Sequence, residues 1–209
     1  MFSKVKARRR GPVLSSRPMH YSPRLEEAFA FVADRHRHQT RKGSGVPYVT
    51  HLMAVAACVG EHHGTEDQVI AALLHDVIED QGVTYDEVKA RFGETVARIV
   101  DACTDATERP KPPWKPRKER YIAHLRAEPP LVKLVSVSDK LHNARSILRD
   151  LRAVGNAVWS RFTATPEQTL WYYRAVTDAL ADGWAHPLVD ELRATVDEIE
   201  RVRTSLGAR

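Results

Sequence analysis

Apolar positions recur at three- to four-residue spacing along almost the whole chain, the pattern of amphipathic helices rather than strands. Pro23 opens a segment with Leu25, Ala28, Phe29 and Val32 on one face, running to about Gln39. Further helical patterns cover about 50–62, 66–80, 84–91, 94–105, 117–127, 130–153, 166–182 and 187–206. The stretch TRKGSGVPY interrupts them first, and the four prolines of RPKPPWKPRKER (109–120) predict a second loop. Thr84 and Glu87 have capping-box spacing, and Thr165 precedes Pro166 as an N-cap precedes an N1 proline. No alternating strand, internal repeat or Gly-rich phosphate loop stands out. The expected fold is all-α, a single compact helical bundle with irregular loops over residues 20–209, behind a basic, disordered tail at 1–19.

Composition changes this picture little. With 209 residues, 43% hydrophobic and 28% charged, the chain fits one soluble globular domain. Its apolar runs fall short of the roughly 18 residues a membrane span needs, and its start lacks the apolar core of a signal peptide. Cys58 and Cys103 sit in apolar helical patterns, so they read as core thiols in a cytoplasmic protein. The net charge of +5 is local. Residues 1–19 hold six of the 32 Lys and Arg and no acid, leaving 26 bases against 27 acids. A nearly neutral body argues against nucleic acid as a partner.

One segment does change the picture. The apolar run VIAALL leads straight into HDVIEDQ, and charged groups are rarely buried unless paired or bound to a metal. His75 and Asp76 are helical neighbours about 100° apart, so they share an ion only if it lies over the edge between them. His51, at the start of the preceding helix, and Asp139, inside the apolar run KLVSVSDKLHN, complete a candidate set of four ligands. Two imidazoles and two carboxylates suit a borderline divalent ion. Glu79 and Asp80 follow His75 and Asp76 by four residues, which predicts an extra carboxylate pair one turn beyond the ligands. Such a pair can orient or deprotonate a water. An isolated His-Asp dipeptide more often marks a surface ion pair, and the four-part pattern carries the metal reading. His142 is expected to point away from the Asp139 face, and the aromatics Trp159, Phe162, Trp171, Tyr172 and Tyr173 to be mostly core.

Four blocks bring in a family. HRHQTRKGSGVPYVTH (36–51), AALLHDVIED (71–80), FGETVARIVDACTDAT (92–107) and VSDKLHNARSI (137–147) together resemble the HD-domain phosphohydrolases. The likeness is closer to the hydrolase domain of Rel/SpoT-type alarmone enzymes and the stand-alone small alarmone hydrolases. It implies His51, His75, Asp76 and Asp139 as metal ligands, with Mn2+ the usual ion. It implies Glu79 and Asp80 as the catalytic acidic pair, and Arg41 and Lys42 as the basic pair framing a guanine. Tyr48, Asn143 and Ser146 match groups lining the nucleotide cleft, although Tyr48 also suits a purely packing role. The reaction implied is removal of the 3′-pyrophosphate from guanosine 3′,5′-bis(diphosphate) or its pentaphosphate form, giving GDP or GTP.

The chain departs from the pattern at Leu52, where proline is usual, at Val137 and Ser138, and at Lys140, where arginine is usual. The stretch after Leu151, fewer than 60 residues, is expected to lack the synthetase domain of the bifunctional enzymes. Two other functions remain open: the same chemistry on another phosphorylated nucleotide such as NADPH, or a non-catalytic alarmone-binding module. An oligomer is also left open. The tail has almost no apolar periodicity with which to order itself. Deleting residues 1–19 is expected to leave the rate of nucleotide hydrolysis unchanged; a large loss in steady-state assays would mean that the tail closes over the cleft.

Overall fold

In the computed structural model, described for residues 20–108 and 110–207, helices follow one another with no strand among the described residues. They are α1 (Pro23–Arg35), α2 (Val49–Glu61), α3 (Glu66–Leu74), α4 (Val77–Gln81), α5 (Tyr85–Phe92), α6 (Glu94–Cys103), α7 (Trp114–Ala127), α8 (Pro130–Val154), α9 (Pro166–Ala181) and α10 (Pro187–Gly207). A 3₁₀ turn, Gly155–Arg161, links α8 to α9. The all-α expectation holds; the basic tail expected at 1–19 lies outside the described residues.

The core explains why VIAALL is apolar on every side. α3 is covered by α1, α2, α6 and α8, and Val69 through Leu74 are all buried. A helix hydrophobic all round is one that the rest of the fold encloses. Its start is set by a complete capping box: Thr65 Oγ1 accepts from Gln68 N, and Gln68 Oε1 accepts from Thr65 N. Gly64 is needed just before it, since a Cβ there would run into the Val59 side chain and carbonyl. The long α8 packs against α2, α3, α6 and α10.

Several boundaries differ from the sequence reading. α1 stops at Arg35, and the chain turns through His36 before Gln39. The single helix expected at 66–80 is two helices, broken at His75–Asp76. The Ala72 carbonyl takes the His75 Nδ1–H at 2.7 Å, and Asp76 leaves helical geometry at φ −108°, ψ 0°. α7 starts three residues early, with Pro116 in its first turn, where a missing N–H costs nothing. Trp159, Tyr172 and Tyr173 are buried as expected, and Phe162 is exposed.

Thr165 caps α9 through a box with Gln168, ahead of Pro166. Thr165→Ala is expected to lower stability by about 1 kcal/mol in urea unfolding while leaving turnover unchanged.

Candidate active site

Three separate helix ends and one helix middle bring the predicted ligands together. His51 lies in the first turn of α2, His75 and Asp76 at the break between α3 and α4, and Asp139 in the middle of α8. His51 Nε2 is 3.2 Å from Asp139 Oδ1 and 3.9 Å from Asp76 Oδ2. His75 Nε2 is 3.1 Å from Asp76 Oδ2 and 3.6 Å from Asp139 Oδ1. The break between α3 and α4 therefore matters: it lets two consecutive residues face one point instead of diverging around a helix.

The donors fit a divalent cation. His51 Nε2 and His75 Nε2 are buried and have no hydrogen-bond partner, which is costly for a polar atom unless something binds it. The His75 ring donates Nδ1–H to the Ala72 carbonyl, so in the neutral ring, the form that binds a metal, Nε2 carries a lone pair into the cluster. Ligand atoms of His51, His75 and Asp76 lie within 4.8 Å of one another, a grouping that can hold a metal ion. The charges of these groups also shift one another. Burial holds the His51 imidazole down despite Asp139, whereas for His75 the charges of Asp76 and Asp139 outweigh burial and push it up. Burial would raise both carboxyls, but His75 at Asp76 and Lys140 at Asp139 hold them low. The Lys140 ammonium donates to Asp139 Oδ2 at 2.7 Å in a mostly buried ion pair.

Around the cluster, neutral donors pin the carboxylates. Tyr48 Oη donates to Asp76 Oδ2 at 2.6 Å, and Asn143 Nδ2 donates to Asp139 Oδ1 at 2.5 Å. Arg41 touches both of these residues: Nη2 donates to Asn143 Oδ1 at 2.8 Å, and the guanidinium lies 5.7 Å above the Tyr48 ring. His36, buried, stacks on the Tyr48 ring with centroids 5.5 Å apart. Lys42 is exposed beside Arg41. Ser146 is brought near but turned inward, its hydroxyl donating to the His142 carbonyl at 2.9 Å.

The acidic pair stands at the rim. Gln39 Nε2 donates to Asp80 Oδ2 at 2.8 Å, and burial together with Asp76 raises the Asp80 carboxyl. Glu79 reaches the other way, accepting from Asp105 N–H at 3.1 Å and from Lys111 Nζ at 2.5 Å. Lys111 belongs to the proline-rich loop, which thus lies against the acidic pair. Asp105 in turn is paired with Arg117 and, at 2.6 Å, with Lys118. Burial, with Lys140 and Arg117 nearby, pulls Lys118 down to about 7.

Sequence reasoning missed two partners. His142 does not point away from the Asp139 face: its Nδ1 lies 2.8 Å from His51 Nδ1. The signal was there, because a residue three after Asp139 shares its helical face as surely as one four after it. Burial and the neighbouring His51 and Arg41 pull His142 down to about 4, so it is neutral. Lys111 carried no comparable signal, since a loop residue has no periodicity to place it.

Fold and cluster together define a class, an all-α protein built around a buried two-histidine, two-aspartate pocket suited to a divalent ion. Within that class the chain belongs to the HD domain family, which matches residues 28–170. It is 35% identical to the guanosine-3′,5′-bis(diphosphate) 3′-pyrophosphohydrolase MESH1 of Mus musculus, over 87% of this chain and 92% of that one. Against the Homo sapiens protein of the same description, identity is 40% over 65% of this chain and 74% of that one. The solved structure of a metazoan ortholog of SpoT that hydrolyzes ppGpp superposes with a TM-score of 0.69 at 29% identity, covering 89% of this chain and 98% of that one.

Asp139 and Lys140 supply a test of the buried charge balance. In metal-stripped protein, Asp139→Ala is expected to cost about 3–5 kcal/mol in urea unfolding, because Lys140 is left buried without its partner. Adding Lys140→Met should recover most of that loss.

Proposed function

We propose that the protein hydrolyses the 3′-pyrophosphate of guanosine 3′,5′-bis(diphosphate) or the pentaphosphate form, giving GDP or GTP and pyrophosphate, with Mn2+ as its ion. The observation that carries this reading is the convergence of two orphaned buried imidazole nitrogens and two carboxylates beside a second, separate acidic pair. A site built only to bind a nucleotide has no need of that pair. The named activity of the similar proteins supports the choice of substrate.

His51, His75, Asp76 and Asp139 would hold the ion, which supplies Lewis-acid polarisation of the phosphoryl oxygens and of the attacking water. The rest falls to side chains. Glu79 takes a proton from the water, and Asp80 holds the water in line with phosphorus. Lys111, now on Glu79, is free to exchange its carboxylate partner for a phosphate oxygen as substrate enters. Arg41 offers a flat cation for stacking on the base, with Lys42 beside it. Tyr48 and Asn143 line the cleft while bracing Asp76 and Asp139. Ser146 has spent its hydrogen on the helix, so it retains only acceptor capacity, suited to an N–H or O–H of the nucleoside.

A second division of roles, with Asp80 taking the proton, is favoured by its raised carboxyl. Single-turnover assays on a panel of guanosine polyphosphates and NADPH, with and without Mn2+, test the substrate and the ion. In the same assay Glu79→Gln is expected to lower turnover by about 10²–10⁴-fold, with metal content and nucleotide affinity nearly unchanged. If Asp80→Asn gives that loss and Glu79→Gln does not, the roles are reversed.

A further inference from the structure

We propose that His142 is a positioning residue which sets the tautomer of His51 and thereby makes it a metal ligand. The inference rests on the reading that His51 belongs to a divalent-metal site. A neutral imidazole has one hydrogen and one lone pair to divide between its two nitrogens. For His51 to ligate, Nε2 must present the lone pair, and its hydrogen must sit on Nδ1. The group facing that nitrogen is His142 Nδ1, at 2.8 Å with the ring centroids 4.7 Å apart. Two facing ring nitrogens form a hydrogen bond only when one carries the hydrogen and the other does not. His142 Nδ1 must therefore accept, which sends the His142 hydrogen to its own Nε2.

The reverse arrangement is also chemically consistent, and it disables the ligand. With the hydrogen on His142 Nδ1, His51 Nδ1 accepts, and the His51 hydrogen moves to Nε2. That N–H then points toward Asp139 Oδ1, 3.2 Å away, where the ion would be held. His75 has no such choice. Its partner is the Ala72 carbonyl, which can only accept, so backbone alone fixes its Nε2 as a lone pair. The contrast singles out His142: one ligand histidine is set by the main chain, the other by a side chain able to act either way. Orienting partners of this kind shape metal affinity nearly as strongly as the ligands themselves. α8 thus carries a ligand, Asp139, and, three residues on, the partner that prepares a ligand on α2.

The test uses the full chain, stripped of metal and titrated with Mn2+ by calorimetry. His142→Phe keeps the ring but removes the acceptor, and is expected to weaken Mn2+ binding by about 10–100-fold. His142→Asn restores an acceptor at the Nδ1 branch position and should recover most of the affinity, a rescue that a purely space-filling role would not give. Equal affinities for the Phe and Asn variants would overturn the proposal. An independent readout needs no substitution: in Zn2+-loaded protein, long-range ¹⁵N–¹H spectra should find the hydrogen on Nδ1 of His51 and on Nε2 of His142. Hydrogen on Nε2 of His51 in the loaded protein would also overturn it. His51→Ala separates the two readings. If that variant binds Mn2+ like the unaltered chain, the metal site itself is wrong; if it loses the ion while His142→Phe does not, only the role of His142 falls.

Discussion

Asp76 and Asp139 are two carboxylates drawn into one largely buried pocket, and like charges in such a place repel unless positive charge or hydrogen bonds hold them. Much of the local architecture answers that constraint. Lys140 neutralises Asp139 from the next residue of the same helix, and Asn143 and Tyr48 donate to one carboxylate each. The two imidazole nitrogens that face the carboxylates have no partner of their own. Two braced carboxylates faced by two unpartnered imidazole nitrogens are the electrostatic content of a metal pocket.

The same residues tie the pocket to its surroundings. Arg41 touches both donors that brace the carboxylates, so its position is coupled to theirs. On the opposite rim the proline-rich loop reaches the acidic pair through Lys111 and Asp105 N–H. Arg41 is thus tied to the carboxylate cluster through Asn143, and the proline-rich loop to Glu79, by charged hydrogen bonds rather than by packing alone. That arrangement suits a site that must admit a highly charged substrate and still keep its ligands aligned.

The apolar core does a different task. α3 is enclosed on all sides, which fixes its axis, and its C-terminal end delivers His75 to a position that is 2% exposed. Burial of VIAALL thus sets where His75 and Asp76 sit, and the break after it sets how the side chains point. A helix continued through Asp76 would have kept the two residues about 100° apart. The backbone departs from the helix because a side-chain donor occupies the carbonyl of Ala72.

What the sequence determined by itself is local. Period-3.6 apolar spacing marked the helices, Thr165 and Pro166 marked one start, and the residue types His, Asp and Glu at helix ends marked the chemistry. Those signals act over a few residues, so they survive in a single chain read alone. The helix break at His75–Asp76 was not legible, because propensity favours continuing and only the folded geometry shows the His75 ring on the Ala72 carbonyl. Nor was Lys111 on Glu79, since proline-rich loops carry no periodicity. His142 lay between the two cases: its spacing from Asp139 placed it on the right face, but its partner, His51, is 91 residues away. Only the packing of α2 against α8 brings those rings together, because a hydrogen bond between side chains so distant in sequence depends on where whole helices come to rest.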